Sequence, residues 1–151
     1  MDGIEAEADH LSKMLLTPVS GTTTGSMNTE QVELWSKFTR PSPPNISLTD
    51  YILRLINLLK LAEEEIVKTA IVEYKRLLFE KCGVQLNDHN AHRFVLAATV
   101  VASKCLLDNQ YAFTYYARVG GVSPGELAVL EVNLLRLLDW RVFHITNCPL
   151  R

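Results

Sequence analysis

Two charged residues stand where charge is costly. Lys104 ends the small-residue run Ala97-Ala-Thr-Val-Val-Ala-Ser103, and Glu131 lies within the apolar series Leu127, Leu130, Leu134, Leu135. If both segments are helices packed in a core, two charges there cost several kcal/mol when fully buried, even as a pair. Two readings are open: both side chains reach solvent at helix ends on their aliphatic stems, or the pair floors an exposed groove and hydrogen-bonds a partner's backbone. The other candidates are weaker. His89 and His92 are spaced i, i+3 but lack a third ligand at metal spacing, so they read as capping or surface residues and no metal site is expected. Gly120-Gly121 lacks the spacing of a phosphate-binding loop and reads as a chain turn with positive φ. No Ser or Cys has a His/Asp constellation, so no catalytic residue and no cofactor is expected. Thr17-Pro18 and Ser42-Pro43 are minimal proline-directed phosphorylation sites.

The elements that must position Lys104 and Glu131 are helical. Ser47-Leu-Thr-Asp50 has capping-box spacing, with Ile46 and Tyr51 placed as a staple, and Ile52, Leu55, Ile56 and Leu59 follow on one face. A second stretch, roughly 63–81, carries Val67, Ala70, Ile71, Tyr74, Leu77 and Leu78 and stops at Gly83. Periodicity alone would also allow one long helix through both; Glu63-Glu-Glu65, suited to a helix N-terminus, is the local sign of a break. The third helix is expected from about 87 to 107 and is apolar all round at 94–102, the mark of a helix surrounded by others. A short aromatic-rich helix precedes Gly120-Gly121, and Ser123-Pro-Gly-Glu126 caps a last helix ending near Asp139-Trp140. The only strand-like pattern is 140–145. The expected fold is all-α: five helices with one buried at the centre, plus a short N-terminal helix.

Composition sets the class. The chain has 151 residues, 48% hydrophobic and 21% charged, enough for one packed domain. A net charge of −2 argues against binding nucleic acid by phosphate neutralisation. Cys82, Cys105 and Cys148 include no CxxC pair, which suggests neither a disulfide framework nor zinc. The acidic N-terminus does not resemble a signal peptide, and the nine-residue apolar run 94–102 is about half a membrane span. An intracellular protein of a reducing compartment, in cytoplasm or nucleus, is expected, with no membrane or small-molecule substrate. Residues 1–44 hold six acids and three bases, whereas 45–151 hold eleven acids and twelve bases. With Ser20-Gly-Thr-Thr-Thr-Gly-Ser26 and Arg40-Pro-Ser-Pro-Pro44, this divides a flexible acidic extension, 1–44, from a helical domain, 45–146, and a tail, 147–151. Within the extension Asn28 and Gln31 have capping-box spacing, so a short helix near 29–39 is expected to dock Val32, Trp35 and Phe38 on the domain or on a partner.

His92-Arg-Phe94, Ala97-Ala-Thr-Val-Val-Ala-Ser-Lys104, Tyr116-Ala-Arg-Val-Gly-Gly-Val-Ser123, Glu126-Leu127 and Leu130-Glu131 together resemble a cyclin box. The Tyr116–Ser123 string is similar to the P-type (U-type) cyclins, related to the fungal phosphate-response cyclins, and Ile46-Ser47, Asp50-Tyr51 and Arg54-Leu55 match how that group opens its first helix. The resemblance implies a single five-helix cyclin box that binds a cyclin-dependent protein kinase as a heterodimer and activates it in cell-cycle or nutrient signalling. It implies that Lys104 and Glu131 contact the kinase's regulatory helix and the loop before it, within a groove including Val101, Cys105 and Leu135. It also supports a break near 60–63. One departure is Tyr74-Lys-Arg76, where Lys75 stands in place of the acid that the resemblance would pair with Arg54. The competing class is a cyclin-like adaptor or scaffold in transcription, since fold does not fix function.

Overall fold

The break between the first two core helices is made by a lysine. In the computed structural model, which describes residues 3–21 and 25–143, Lys60 adopts φ +53° and the Leu61 N–H donates to the Ile56 carbonyl at 2.9 Å. This is a Schellman closure with Lys60 in the place usually taken by glycine. It ends α3 (Leu48–Leu58) and lets α4 (Glu65–Cys82) turn away, so the long continuous helix that periodicity allowed does not form. Ser47 Oγ caps α3 by accepting from the Asp50 N–H at 3.1 Å. Gly83, at φ 71°, closes α4.

The central helix is α5 (Ala91–Leu106), from which Ala91, His92 and every residue from Phe94 to Ser103 are buried. It packs against α3, α4 and α7 (Pro124–Leu137), while α6 (Phe113–Gly120) bridges α3 and α7. The helix begins later than 87 because Asn87–Asn90 forms a turn, held by the Asn87 N–H on Asn90 Oδ1 at 2.9 Å. At the end of α6 the two glycines have different tasks. Gly121 takes φ 74°, whereas a Cβ at Gly120 would come within 2.3 Å of Leu96 Cδ2 on α5. The first glycine therefore sets a close helix approach and only the second supplies positive φ. Beyond α7, Asp139 and Trp140 are left-handed, and 140–143 form no strand; 144–145 and Cys148 lie outside the described residues.

Two tyrosine hydroxyls join distant segments: Tyr51 donates to Gly120 O and Tyr74 to Val142 O, both at 2.7 Å. With Tyr51 8% and Tyr74 0% exposed, each satisfies a polar group inside an apolar shell.

The N-terminal part departs most from the sequence-based expectation. One helix was expected in 1–44; there are two, α1 (Gly3–Leu16) and α2 (Thr29–Ser36). Helix α1 lies on α3 and α4 and buries Ala8, Leu11 and Leu15, an i, i+3, i+7 stripe. Two lysines of α4, seven residues apart and therefore on one face, hold it there. Lys68 pairs with Glu7 and Glu65, and Lys75 Nζ donates to the carbonyls of Met14, at 2.6 Å, and Thr17. Lys75 thus supplies the last turn of α1 with the cation its free carbonyls favour. Arg54, left without an acid at position 75, donates Nε to Val119 O at 2.8 Å.

Lys75→Met keeps the stem and removes these bonds. Since Lys75 is only 6% exposed, the loss should cost about 1.5–3 kcal/mol, the range for hydrogen bonds to a charged group. Urea denaturation should register it as a lower midpoint, and hydrogen exchange should show α1 opening before the core. A midpoint within error of wild type would show that the apolar stripe alone holds α1.

Helix α2 begins with the reciprocal capping box of Asn28 and Gln31 and docks at home on α7. Trp35 and Phe38 are buried and stacked with centroids 4.7 Å apart, and Asn133 Nδ2 donates to Leu34 O at 3.0 Å. Val32, expected on the docked side, instead faces solvent.

Candidate functional site

Lys104 sits in the last turn of α5 and Glu131 midway along α7, and the packing of these two helices brings them together. Lys104 Nζ lies 2.8 Å from Glu131 Oε2 and 3.1 Å from Oε1, so both carboxylate oxygens are engaged. Phe113, at the start of α6, places its ring 4.5 Å below the ammonium, a cation–π contact that sequence reasoning missed. An aromatic residue just ahead of the Tyr115-Tyr116 pair was the available signal, but nothing local ties it to a lysine nine positions earlier. The pair is neither buried nor free: the side chains are 38% and 16% exposed. The charges reach water at a helix end, as the first reading expected, while remaining fixed to each other and to an aromatic ring.

The apolar surroundings divide. Cys105 and Leu135 are half-buried and border the pair. Val101 is 1% exposed and belongs to the core, so it does not line a groove; one turn before Cys105, α5 is already covered on every side. Burial pushes the Cys105 thiol above its usual 9.0, the Glu131 carboxylate adds to that, and Lys104 opposes it. The thiol therefore stays protonated and packs as a small apolar side chain.

The two histidines hold loops. His89 Nδ1 lies 3.1 Å from Arg40 O, and His92, buried rather than on the surface or at a cap, places Nε2 2.8 Å from Ile46 O. Among the described residues no cluster of His, Cys, Asp and Glu is arranged to hold a metal ion. No helix there is long and apolar enough to cross a membrane.

The charged pair lies at the meeting of α5 and α7, over a five-helix core whose middle helix is buried along most of its length. The cyclin family model matches residues 5–142, nearly the whole described chain. The chain belongs to the cyclin family. Among its relatives is the PHO85 cyclin PHO80 of Saccharomyces cerevisiae, 32% identical over 93% of this chain and 49% of the yeast protein. Cyclin-U1-1 of Arabidopsis thaliana is 36% identical over 66% of this chain and 47% of its own length. Cyclin-P1-1 of Oryza sativa subsp. japonica is 34% identical over 66% of this chain and 37% of its own. This cyclin thus spans about half or less of the length of these curated relatives. The family match starts at residue 5, so it takes in α1 and α2 as well as the five core helices.

Proposed function

We propose that this cyclin is the regulatory subunit of a cyclin-dependent protein kinase and that the Lys104–Glu131 face binds the kinase's regulatory helix. The observation that carries the reading is the fixed pair itself: a lysine and a carboxylate held on a rigid two-helix platform, flanked by Phe113, Cys105 and Leu135 and still open to water. Its relative in yeast is named as the cyclin of another protein, PHO85, which supports the same class of partner.

The mechanism follows from populations. A kinase whose catalytic Lys–Glu pair is unformed is inactive, and a surface that binds only the inward position of the regulatory helix shifts it toward the active form. Taking an equilibrium from one active molecule in a hundred to near-full activation needs about 5.5 kcal/mol of differential binding. The platform is suited to this because α5 and α7 are locked by the core and have little freedom to follow the kinase instead.

The test is recovery of a kinase from lysate on the purified chain, followed by a phosphotransfer assay on the eluate. Wild type should bring down a cyclin-dependent kinase with activity, and the Lys104→Ala/Glu131→Ala double variant should not. Equal recovery by both moves the interface elsewhere on the cyclin. A bound kinase without activity, or no kinase at all, would favour an adaptor.

A further inference from the structure

Arg40, Arg54 and Arg93 come from three separate segments, yet they line one cleft of about 290 Å³ with Pro44, Tyr51, His92 and the α6–α7 turn. No Asp or Glu belongs to its lining. All three guanidiniums act on the Tyr51 phenol, each opposing the rise that burial imposes. Their donors are underused. Among the described residues Arg54 spends only Nε, on Val119 O; Arg93 gives one terminal nitrogen to Lys37 O at 2.8 Å and stands 3.8 Å from Glu126; the Arg40 guanidinium makes no hydrogen bond. One donor of the lining, Arg93 Nε, is buried with no partner among the described residues, while His92 commits Nε2 to Ile46 O. A buried donor in such a state is rare and costly. The site is therefore one of spare, convergent positive charge, which suits a dianion with several acceptor oxygens.

The chain carries a residue that can bring one. Ser42 is exposed, precedes Pro43, and stands two residues from Arg40 and two from Pro44, both in the lining. Two residues span at most about 7 Å, so the Ser42 hydroxyl is tethered at the mouth. We propose that Ser42 is a phosphoacceptor whose phosphate docks in this cleft against Arg40, Arg54 and Arg93. In the modification the Ser42 Oγ attacks the γ-phosphorus of MgATP on a proline-directed Ser/Thr kinase. The Oγ–P bond forms, the bond from γ-phosphorus to the bridging oxygen breaks, ADP leaves, and the hydroxyl proton goes to the kinase's base. The docked dianion ties the segment between α2 and α3 to α3 and α5. Because His92 and Lys104 are twelve residues apart on α5, about 18 Å along the axis, the cleft and the charged pair are separate sites.

Two measurements on the full chain decide it. With phosphoserine installed at position 42 during synthesis, a phosphorus NMR titration should place its second ionisation about one unit below the free value of about 6. A phosphoserine at exposed position 20 should stay near that value. Arg40→Ala and Arg54→Ala should each return the position-42 value toward that of position 20. No shift at 42, or a shift that both arginine variants leave unchanged, overturns the docking. Separately, incubation with MgATP and a proline-directed kinase should place label on the Ser42 peptide of the wild type, and that peptide should carry none in Ser42→Ala. Label confined to Thr17 overturns the assignment of the acceptor. Neither measurement depends on which kinase the cyclin activates.

Discussion

Glu131→Ala should weaken kinase binding by about 2–5 kcal/mol, roughly thirty-fold or more in Kd, while leaving the isolated cyclin folded. The asymmetry comes from solvent. In the free protein Lys104 and Glu131 are part-exposed, and an ion pair in that setting contributes about 0–1 kcal/mol to stability. Covering the platform removes the water. The carboxylate then has to be satisfied by Lys104 and by backbone donors of the partner, and truncating it strands Lys104 as a buried cation without its counter-ion. Lys104→Ala should act in the same direction and strand Glu131 instead. The two effects should be strongly non-additive, because removing either charge already destroys the pair. Calorimetric titration of wild type, both single variants and the double variant against the kinase forms the cycle that measures this, with circular dichroism as the fold control. Unfolding of either single variant would show that the pair is structural. Full-strength binding by both would remove it from the interface.

What could be read beforehand follows a physical division. Apolar periodicity, caps and the continuous run 94–102 are local, and they sufficed for α2, α4, α6, α7 and the buried middle helix. Lys104 and Glu131 were legible because a charge beside a small-residue run stands out from its own neighbours. Partnership was not legible. That Lys75 would cap α1 depends on α1 reaching α4 across about sixty residues, and the acid missing at position 75 was visible only as an absence. Helix α1 itself escaped because the acids and small polar residues around Ala8, Leu11 and Leu15 outweigh a three-residue stripe that becomes apolar surface only when α3 and α4 cover it. Val101 was misplaced for a related reason. Helical spacing from Lys104 gives the correct side of α5, but not the height at which the neighbouring helices close over it. The arginine cleft was out of reach altogether, since Arg40, Arg54 and Arg93 share no spacing.

Alkaline unfolding should be steep, and it should be set by the two tyrosines that tie the fold together. Burial raises the Tyr51 phenol well above its usual 10.0, against the opposing pull of Arg54, Arg93 and Arg40, and it raises Tyr74 likewise, with Cys105 adding to the rise. A group whose folded pKa is raised keeps its proton in the native state after the unfolded chain has lost it. Its stabilisation is complete below the unfolded value and is lost as pH climbs beyond it. The thiols of Cys82 and Cys105, raised by burial from 9.0, act in the same sense and begin earlier. Lys68 and Lys75 oppose them: burial lowers both from 10.5, the native state holds fewer protons just below that pH, and stability gains there. That gain is exhausted once the unfolded lysines have also deprotonated. Above the unfolded tyrosine value of 10.0 the two phenols together should make stability fall by up to about 2.7 kcal/mol per pH unit, twice the 1.36 kcal/mol of a single site. Tyr74→Phe should halve that slope while costing about 1 kcal/mol at neutral pH, where the Val142 carbonyl loses its donor. Urea titrations at stepped pH give the slope, and ultraviolet absorbance of tyrosinate gives the ionisation. If the Tyr51 and Tyr74 phenols ionise before the helical signal is lost, burial does not hold their protons and this account of the alkaline limit fails.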